Sequence, residues 1–186
     1  NIYIKIYDYK TGNEKISLYK TNYGLRLQLM TYMIAAMEHE KKLHPGKNIV
    51  PAGAFYYVVD DPIVDRQDSR EKVEKKILAQ LSYDGIVNGQ MPQELMGSSA
   101  DSIKGDKNIT AGQFARLSEH ITDTMDLMTD NMLNGNAYIN PVADSGKDSC
   151  EYCPYRSVCG FYSDIPGNSY RRVRHLKDNE VWVRLY

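Results

Sequence analysis

Two side chains with complementary chemistry lie near the start of the sequence, in the order Asp8-x-Lys10. The preceding residues alternate between isoleucine and tyrosine or lysine, which predicts a strand, so Asp8 and Lys10 project from one face of it. A carboxylate is a ligand for Mg²⁺, and an ammonium group nearby favours hydroxide and offsets charge in the transition state. The pair fits a metal-dependent phosphodiesterase, although an acid-x-lysine pair alone is usually a solvated strand end.

A second pair of polar residues, Gln28 and Tyr32, lies on a predicted helix. Because residues four apart share one helix face, both side chains can address a nucleic-acid backbone or support Lys10. On its own, this spacing is more typical of a half-buried helix flank.

All three cysteines fall within ten residues, as Cys150-x2-Cys153-x5-Cys159. This spacing suits zinc or an iron–sulfur cluster, and either metal normally takes a fourth ligand. For a cluster the missing ligand would be a cysteine, and none precedes Cys150. For zinc it would be one of the histidines, among which His175 follows the cysteines most closely; the others are His39, His44 and His120. No secretory context supports a disulfide between Cys150 and Cys153.

Basic residues are gathered near the cysteines, although the formal net charge of the chain is only -1. Nucleic-acid contact would therefore rest on local patches rather than on the field of the whole chain. Arg156 lies inside the cysteine loop, and Arg171 and Arg172 lie in the tail. We expect these three arginines to contact DNA phosphates, the alternative for the tail being a solvated end.

The elements that carry these residues can be predicted from apolar periodicity and turn signals. The first half contains a strand over residues 2–9, a turn at 11–13, a short strand at 16–19, a helix over 22–43 and a buried strand over 52–59. A charged helix follows over about 69–81. Residues 82–109 are predicted to be loop, with at most one short helix at 92–96.

The second half begins with a helix whose start is marked by a capping box formed by Thr110 and Gln113. Its apolar face is predicted to be core and runs through Phe114, Leu117, Ile121, Met125, Met128 and Met132, before a stop at Gly135. An extended piece over 137–141 then leads into the cysteine loop and a basic tail. A length of 186 residues fits one domain, and no apolar run is long enough to span a membrane.

In this order, the motifs resemble the RecB-like branch of the PD-(D/E)XK nucleases. Residues 6–12 look like the acid-x-lysine strand of that family, residues 25–32 look like its glutamine–tyrosine helix, and the cysteines look like its last three 4Fe-4S ligands. The resemblance is greatest to the nuclease domains of AddB-type subunits of bacterial ATP-dependent helicase–nucleases. It implies an α/β (α+β) restriction-endonuclease-like core, a small mixed sheet flanked by helices, truncated at its N-terminal side.

The resemblance also implies the domain limits and the roles of the residues. Residues 1–186 would be the C-terminal part of a single nuclease domain, with residues 144–163 as its metal-cluster loop. Asp8 would bind Mg²⁺, Lys10 would assist the attacking water, and Gln28 and Tyr32 would complete the catalytic set. The family's first catalytic carboxylate and first cluster cysteine are not in this sequence, so we expect little or no activity, and no cluster, in this chain by itself.

By resemblance the activity is Mg²⁺-dependent exonuclease cleavage of DNA in cytoplasmic double-strand break repair by recombination. The implied partners are DNA and an AddA-like helicase–nuclease subunit in a heterodimer, without a membrane. No glycine-rich phosphate loop occurs in the chain, so ATP binding is not expected here. Two alternatives remain open: a stand-alone RecB-family iron–sulfur exonuclease, and a non-enzymatic zinc-binding interaction module.

Overall fold

A computed structural model describes residues 1–12, 14–59, 64–80, 83–96 and 107–186. Its strands are β1 Ile2–Lys10, β2 Ile49–Val58, β3 Asp84–Asn88, β4 Asn108–Ile109, β5 Val142–Asp144, β6 Lys147–Asp148 and β7 Arg171–Arg172. Its helices are α1 Leu18–Asn22, α2 Gln28–Leu43, α3 Arg70–Gln80, α4 Gln93–Met96, α5 Ala111–Leu133, α6 Arg156–Cys159 and α7 Asp178–Leu185.

The main sheet has four strands in the order β1-β2-β3-β4. β1 runs parallel to β2, β2 antiparallel to β3, and β3 parallel to β4, so the sheet is mixed. The register of β1 and β2 shifts between Ile4 and Lys5, opposite Pro51. Proline has no N–H to donate to the ladder, which explains an irregularity at this point. The mixed sheet with flanking helices confirms the predicted fold class.

One face of the sheet is covered by α2 and α5, which also contact each other. The alternating isoleucines of β1 point into this layer, as the strand period requires. The core is formed by residues from both helices and the sheet, including Ile4, Leu29, Met33, Ala54, Ile86, Phe114, Leu117 and Ile121. This arrangement anchors the C-terminal half of β1 beside the start of α2.

The capping box is present at the start of α5, with Gln113 N donating to Thr110 Oγ1 and Thr110 N donating to Gln113 Oε1. The prediction that the whole apolar face of α5 is core was wrong at its C-terminal end. Met128 is 42% exposed and Met132 is 72% exposed. The 23-residue helix extends beyond the elements that cover its first half, and every residue from 126 to 133 is exposed.

Two predictions between β1 and α2 were wrong. The predicted strand at 16–19 is absent: residues 16 and 17 precede helix α1, and residues 18 and 19 begin it. The predicted helix from residue 22 begins only at Gln28. The reason is local: Gly24 and Arg26 both have positive φ, of 77° and 56°, which interrupts a right-handed helix. Ile16 pairs with no strand of the described segments, and its backbone N–H donates a hydrogen bond to Asp84 Oδ2.

The predicted loop over 82–109 contains two strands, β3 and β4, and the predicted short helix, observed as α4. β3 was missed because its sequence, DGIVN, has a glycine and two turn-forming residues. Asn88 is buried and donates to Pro51 O at 3.0 Å, so tertiary contacts place it in a strand. Residues 82 and 97–106 of this prediction lie outside the described residues, as do Asn13 of the predicted turn and Leu81 at the end of the charged helix.

The C-terminal part contains a second, small sheet of order β6-β5-β7 and the helix α7. The predicted extended piece at 137–141 has no regular structure, and the strand begins at Val142. Sequence reasoning missed α7, whose Val181 and Leu185 are buried in the main core. Among the helices of the described segments, none has the length and apolar character needed to cross a bilayer.

Candidate active site

Asp8 and Lys10 lie at the C-terminal end of β1, on the sheet face that carries α2. Lys10 Nζ is 3.0 Å from Asp8 Oδ2, and their side chains are 26% and 13% exposed. The contact is an ion pair without hydrogen-bond geometry, so Asp8 Oδ2 is a buried oxygen with no hydrogen-bond partner in the described part of the chain. A buried polar atom without a hydrogen bond needs an explanation, and a metal cation bound beside the Lys10 ammonium group would provide one.

Lys10, Gln28 and Tyr32 form a hydrogen-bonded chain across two elements. Lys10 Nζ donates to Gln28 Oε1 at 2.8 Å, and Gln28 Nε2 donates to Tyr32 Oη at 2.8 Å. Gln28 is the first residue of α2, and Tyr32 lies one turn later on the same face. The amide of Gln28 therefore orients the Lys10 ammonium group and is itself oriented by Tyr32.

Tyr56 is a further residue of the site that sequence reasoning missed. It is 4% exposed and stands opposite Asp8 in the register of β1 and β2, with Lys10 Nζ 5.6 Å from its ring centroid. Burial raises the pKa of Tyr56, so its hydroxyl stays protonated. In the sequence, Tyr56 is one residue of an apolar run, and only the strand register reveals its position beneath Lys10.

The contacts of Lys10 determine its charge. Its pKa is raised above the usual value, first by the adjacent Asp8 carboxylate and against the opposing effect of burial. Lys10 is therefore an ammonium ion at neutral pH, which can stabilise negative charge but cannot remove a proton from water. Its chemistry here is electrostatic.

The residues present fit a Mg²⁺ ion through Asp8. Mg²⁺ is commonly held by one or two carboxylates, with waters and substrate phosphate oxygens as its other ligands. In the residues that the structure describes, no three His, Cys, Asp or Glu side chains are grouped so that they could hold a metal ion. Asp8 could therefore supply one oxygen ligand, and the other ligands would come from outside the described residues.

The three cysteines lie in the loop between β6 and the left-handed Gly160, outside the main sheet. Cys150 and Cys153 are half-buried and Cys159 is exposed. Backbone hydrogen bonds between residues close in sequence fold the loop, for example from Cys153 N to Cys150 O at 3.3 Å. Within the described residues, the three thiols are not grouped as a set of metal ligands.

The histidines proposed for zinc lie elsewhere. His175 packs against Tyr19, with ring centroids 4.5 Å apart and ring planes tilted by 47°, and His120 Nε2 lies 3.1 Å from Asn22 O. His44 Nε2 contacts Glu40, and His39 is exposed on α2. The described residues thus offer no histidine that completes a metal site with the cysteines.

The three arginines predicted to bind DNA are exposed and lie on the C-terminal unit. Arg156 begins α6 inside the cysteine loop, and Arg171 and Arg172 form β7, which pairs with β5. They belong to the small sheet and the cysteine loop, whereas Asp8 and Lys10 belong to the main sheet.

A carboxylate and an ammonium group at the end of a sheet strand, beside a helical glutamine and tyrosine, form the arrangement that the sequence motifs predicted for a metal-dependent nuclease. The chain belongs to the PD-(D/E)XK nuclease superfamily, whose sequence profile matches residues 1–160. Members of this superfamily typically use a divalent metal ion. The match confirms the class of enzyme predicted from the motifs.

Several curated relatives are named as subunits of an ATP-dependent helicase/deoxyribonuclease. The relative from Thermoanaerobacter sp. (strain X514) is 36% identical over 201 aligned residues, covering 98% of this chain and 17% of the relative. Those from Lachnoclostridium phytofermentans and Clostridium novyi are 33% identical, covering 97% and 98% of this chain and 18% of each relative. The chain therefore spans less than a fifth of the length of these relatives.

Proposed function

We propose that this chain is part of the nuclease domain of a DNA-degrading helicase–nuclease subunit and that the intact domain hydrolyses DNA phosphodiester bonds with Mg²⁺. The observation that carries the proposal is the buried, unsatisfied oxygen of Asp8 beside the Lys10–Gln28–Tyr32 chain. The same residues resemble the acid-x-lysine strand and the glutamine–tyrosine helix of the superfamily to which the chain belongs.

Each residue has a distinct role in this proposal. Asp8 binds the cation, and the Lys10 ammonium group stabilises the negative charge that develops on the scissile phosphate. Gln28 and Tyr32 are positioning residues, because they act through the ammonium group. When bound, Mg²⁺ would neutralise phosphate charge and lower the pKa of a coordinated water.

The role of Asp8 is tested by the substitution Asp8→Asn in a protein of the relatives' length that carries this chain. We expect cleavage of single-stranded DNA to fall by at least about 100-fold, since removal of one charge-stabilising group has effects of this order. Asp123→Asn, an exposed acid on α5, is the matched control and should retain activity. Full Mg²⁺-dependent cleavage by Asp8→Asn would overturn the proposed site.

The wider role is proposed from the name that these relatives share. We propose that the parent protein pairs with an AddA-like helicase–nuclease subunit, acts on DNA in the cytoplasm and serves double-strand break repair by recombination. Co-expression of the subunit-length protein with such a partner should give a heterodimer with DNA-dependent ATP hydrolysis. A protein that forms no such complex but cleaves DNA by itself would favour the stand-alone exonuclease.

For the cysteine loop, we propose that Cys150, Cys153 and Cys159 bind a 4Fe-4S cluster together with a cysteine from outside this chain. The observations in favour are the half-burial of two thiols and their place in one short loop. Anaerobically purified subunit-length protein should absorb at about 400 nm and contain iron and sulfide, and Cys153→Ala should lose both. One zinc and no iron would favour the zinc-binding module instead.

We also propose that Arg156, Arg171 and Arg172 contact DNA phosphates near that loop. The support is their exposure on adjoining elements of the small sheet and the cysteine loop. Arg171→Gln with Arg172→Gln should weaken single-stranded DNA binding and lower its salt dependence by about 1.4 in log–log slope, since each phosphate contact contributes about 0.7. An unchanged slope would exclude the tail from the interface.

A further inference from the structure

Arg26 adopts a backbone conformation that arginine rarely takes. Its φ is 56°, and the only other non-glycine residue with positive φ in the described segments is Ser145. A side chain with a Cβ is disfavoured in this left-handed region, and such conformations are found most often at functional sites. Arg26 lies two residues before Gln28, at the point where the chain enters α2.

The strained backbone directs the Arg26 side chain back over the segment that follows Lys10. Its guanidinium group forms an ion pair with Glu14 and donates from Nη1 to Lys15 O at 3.2 Å. Both partners of the pair are accessible, with Arg26 38% and Glu14 39% exposed. Arg26 thus holds a carboxylate at the surface, between β1 and α2.

This ion pair is close to the candidate active site. Glu14 N donates to Gly12 O at 2.8 Å, two residues beyond Lys10, and Arg26 lies two residues before Gln28, which accepts a hydrogen bond from Lys10 Nζ. A DNA strand whose scissile phosphate lies at Lys10 would bring a neighbouring phosphate within reach of the same surface, because successive phosphates are only several ångströms apart along a strand.

We propose that Arg26 binds a DNA phosphate next to the scissile one and that Glu14 occupies its guanidinium group until DNA displaces it. Guanidinium presents the same planar pair of donors to carboxylate and to phosphate, so one anion can replace the other. An exposed ion pair contributes little to stability and does not by itself account for a strained arginine. This inference rests on the proposed nuclease function and assigns one substrate-positioning residue to that site.

The test uses opposite substitutions at the two members of the pair, in the same protein as the Asp8→Asn test. With single-stranded DNA, Arg26→Met should raise KM by about tenfold with a smaller change in kcat, as expected for loss of one charged hydrogen bond. Glu14→Gln should lower KM, because the competing carboxylate is gone. In EDTA, Arg26→Met should lower the salt slope of DNA binding by about 0.7, and Arg26→Lys should restore part of the affinity and most of the slope.

A matched control pair exists on α3, where Arg70 and Glu74 form an exposed ion pair of i,i+4 spacing. Arg70→Met and Glu74→Gln should leave KM and the salt slope unchanged. If the two Arg26–Glu14 substitutions shift KM in the same direction, or only lower the melting temperature together, the pair is structural and the inference is wrong. If Asp8→Asn retains cleavage, the proposed function itself fails, whatever the Arg26 variants do.

Discussion

Lys10 donates a 2.8 Å hydrogen bond to Gln28, which joins the end of β1 to the first residue of α2. The two residues are 18 positions apart in the chain, and the segment between them contains α1 and two residues with positive φ, Gly24 and Arg26. The orientation of the candidate catalytic ammonium group therefore depends on a helix start rather than on the strand that carries it.

The first prediction concerns this contact. Gln28→Leu removes the acceptor that orients Lys10, and misplacement of a charged group by about 1 Å lowers turnover by about 100-fold. We expect kcat of the subunit-length protein to fall by about this factor with little change in stability. Tyr32→Phe keeps the Lys10–Gln28 hydrogen bond and should lower kcat by a smaller factor. A Gln28→Leu protein with wild-type kcat would show that Lys10 needs no such support.

The second prediction concerns the packing of Phe55 between two glycines. A Cβ on Gly53 would collide with the Phe55 ring, and a Cβ on Gly85 would collide with Ala54 O as well as with Phe55. Gly53→Ala and Gly85→Ala should each lower the free energy of unfolding by about 2 kcal/mol. Gly12→Ala is the control, because nothing lies within 4 Å of its Cβ position.

The two glycines should respond differently in a Phe55→Leu background. In that background, Gly53→Ala should lower the free energy of unfolding by much less, because the Phe55 ring that the new Cβ would meet has been removed. Gly85→Ala should still lower the free energy of unfolding by about as much as before, because the backbone oxygen of Ala54 remains. Urea denaturation of the single and double variants measures both effects. If Phe55→Leu reduced the loss of unfolding free energy equally at both glycines, the observed packing would be contradicted.

The third prediction concerns the start of α5. Thr110→Ala removes the hydroxyl that accepts from Gln113 N, so the free energy of unfolding should fall by about 1 kcal/mol. Thr122→Ala removes a hydroxyl that donates to Ser118 O within the same helix and should change stability by less than about 0.5 kcal/mol. Thermal unfolding of both variants makes the comparison, and equal losses would argue against the cap.

The fourth prediction concerns pH. Burial acts to raise the pKa of Asp144, but hydrogen bonds from Lys20 and Ser145 outweigh it, and the pKa lies below its usual value. Because the folded pKa is depressed, the stabilisation is present above the unfolded value of 3.8 and is lost as pH falls through the folded pKa.

Asp144→Asn should therefore destabilise the chain by about 1 kcal/mol at pH 7, and the difference from wild type should vanish at the acid end of the titration. Urea denaturation at a series of pH values measures this difference, with the exposed Asp126→Asn as control. A difference that stays constant down to pH values below 3.8 would exclude the carboxylate as its source.

The fifth prediction concerns the 186-residue chain by itself. Within the described residues, Asp8 is not grouped with two further metal-binding side chains. We therefore expect weak Mg²⁺ binding and little or no degradation of single-stranded DNA by this chain alone. Rapid Mg²⁺-dependent degradation, abolished by Asp8→Asn, would show that one protein carboxylate is sufficient.

The sequence was most informative where a short motif coincides with a regular period. Alternation in β1 and the i,i+4 spacing of Gln28 and Tyr32 placed the polar residues on defined faces without any tertiary information. The prediction failed at β3 and α1, where local composition and tertiary contacts disagree. Asn88 and Gly85 are poor strand formers, but burial and cross-strand bonds hold them in the sheet.

By itself, the amino-acid sequence determined the strand and helix that carry the candidate site and the residue types of that site, because hydrophobic periodicity and motif spacing are local properties. The class of fold followed from the resemblance of these motifs to a known family. Only the tertiary structure decided that Tyr56 lies beneath Lys10, since strand register depends on which strands pair. It also decided that Arg26, which has a positive φ, forms an ion pair with Glu14, since this contact depends on how the chain folds between β1 and α2. These relationships join residues that are distant in the chain, and no local pattern encodes them.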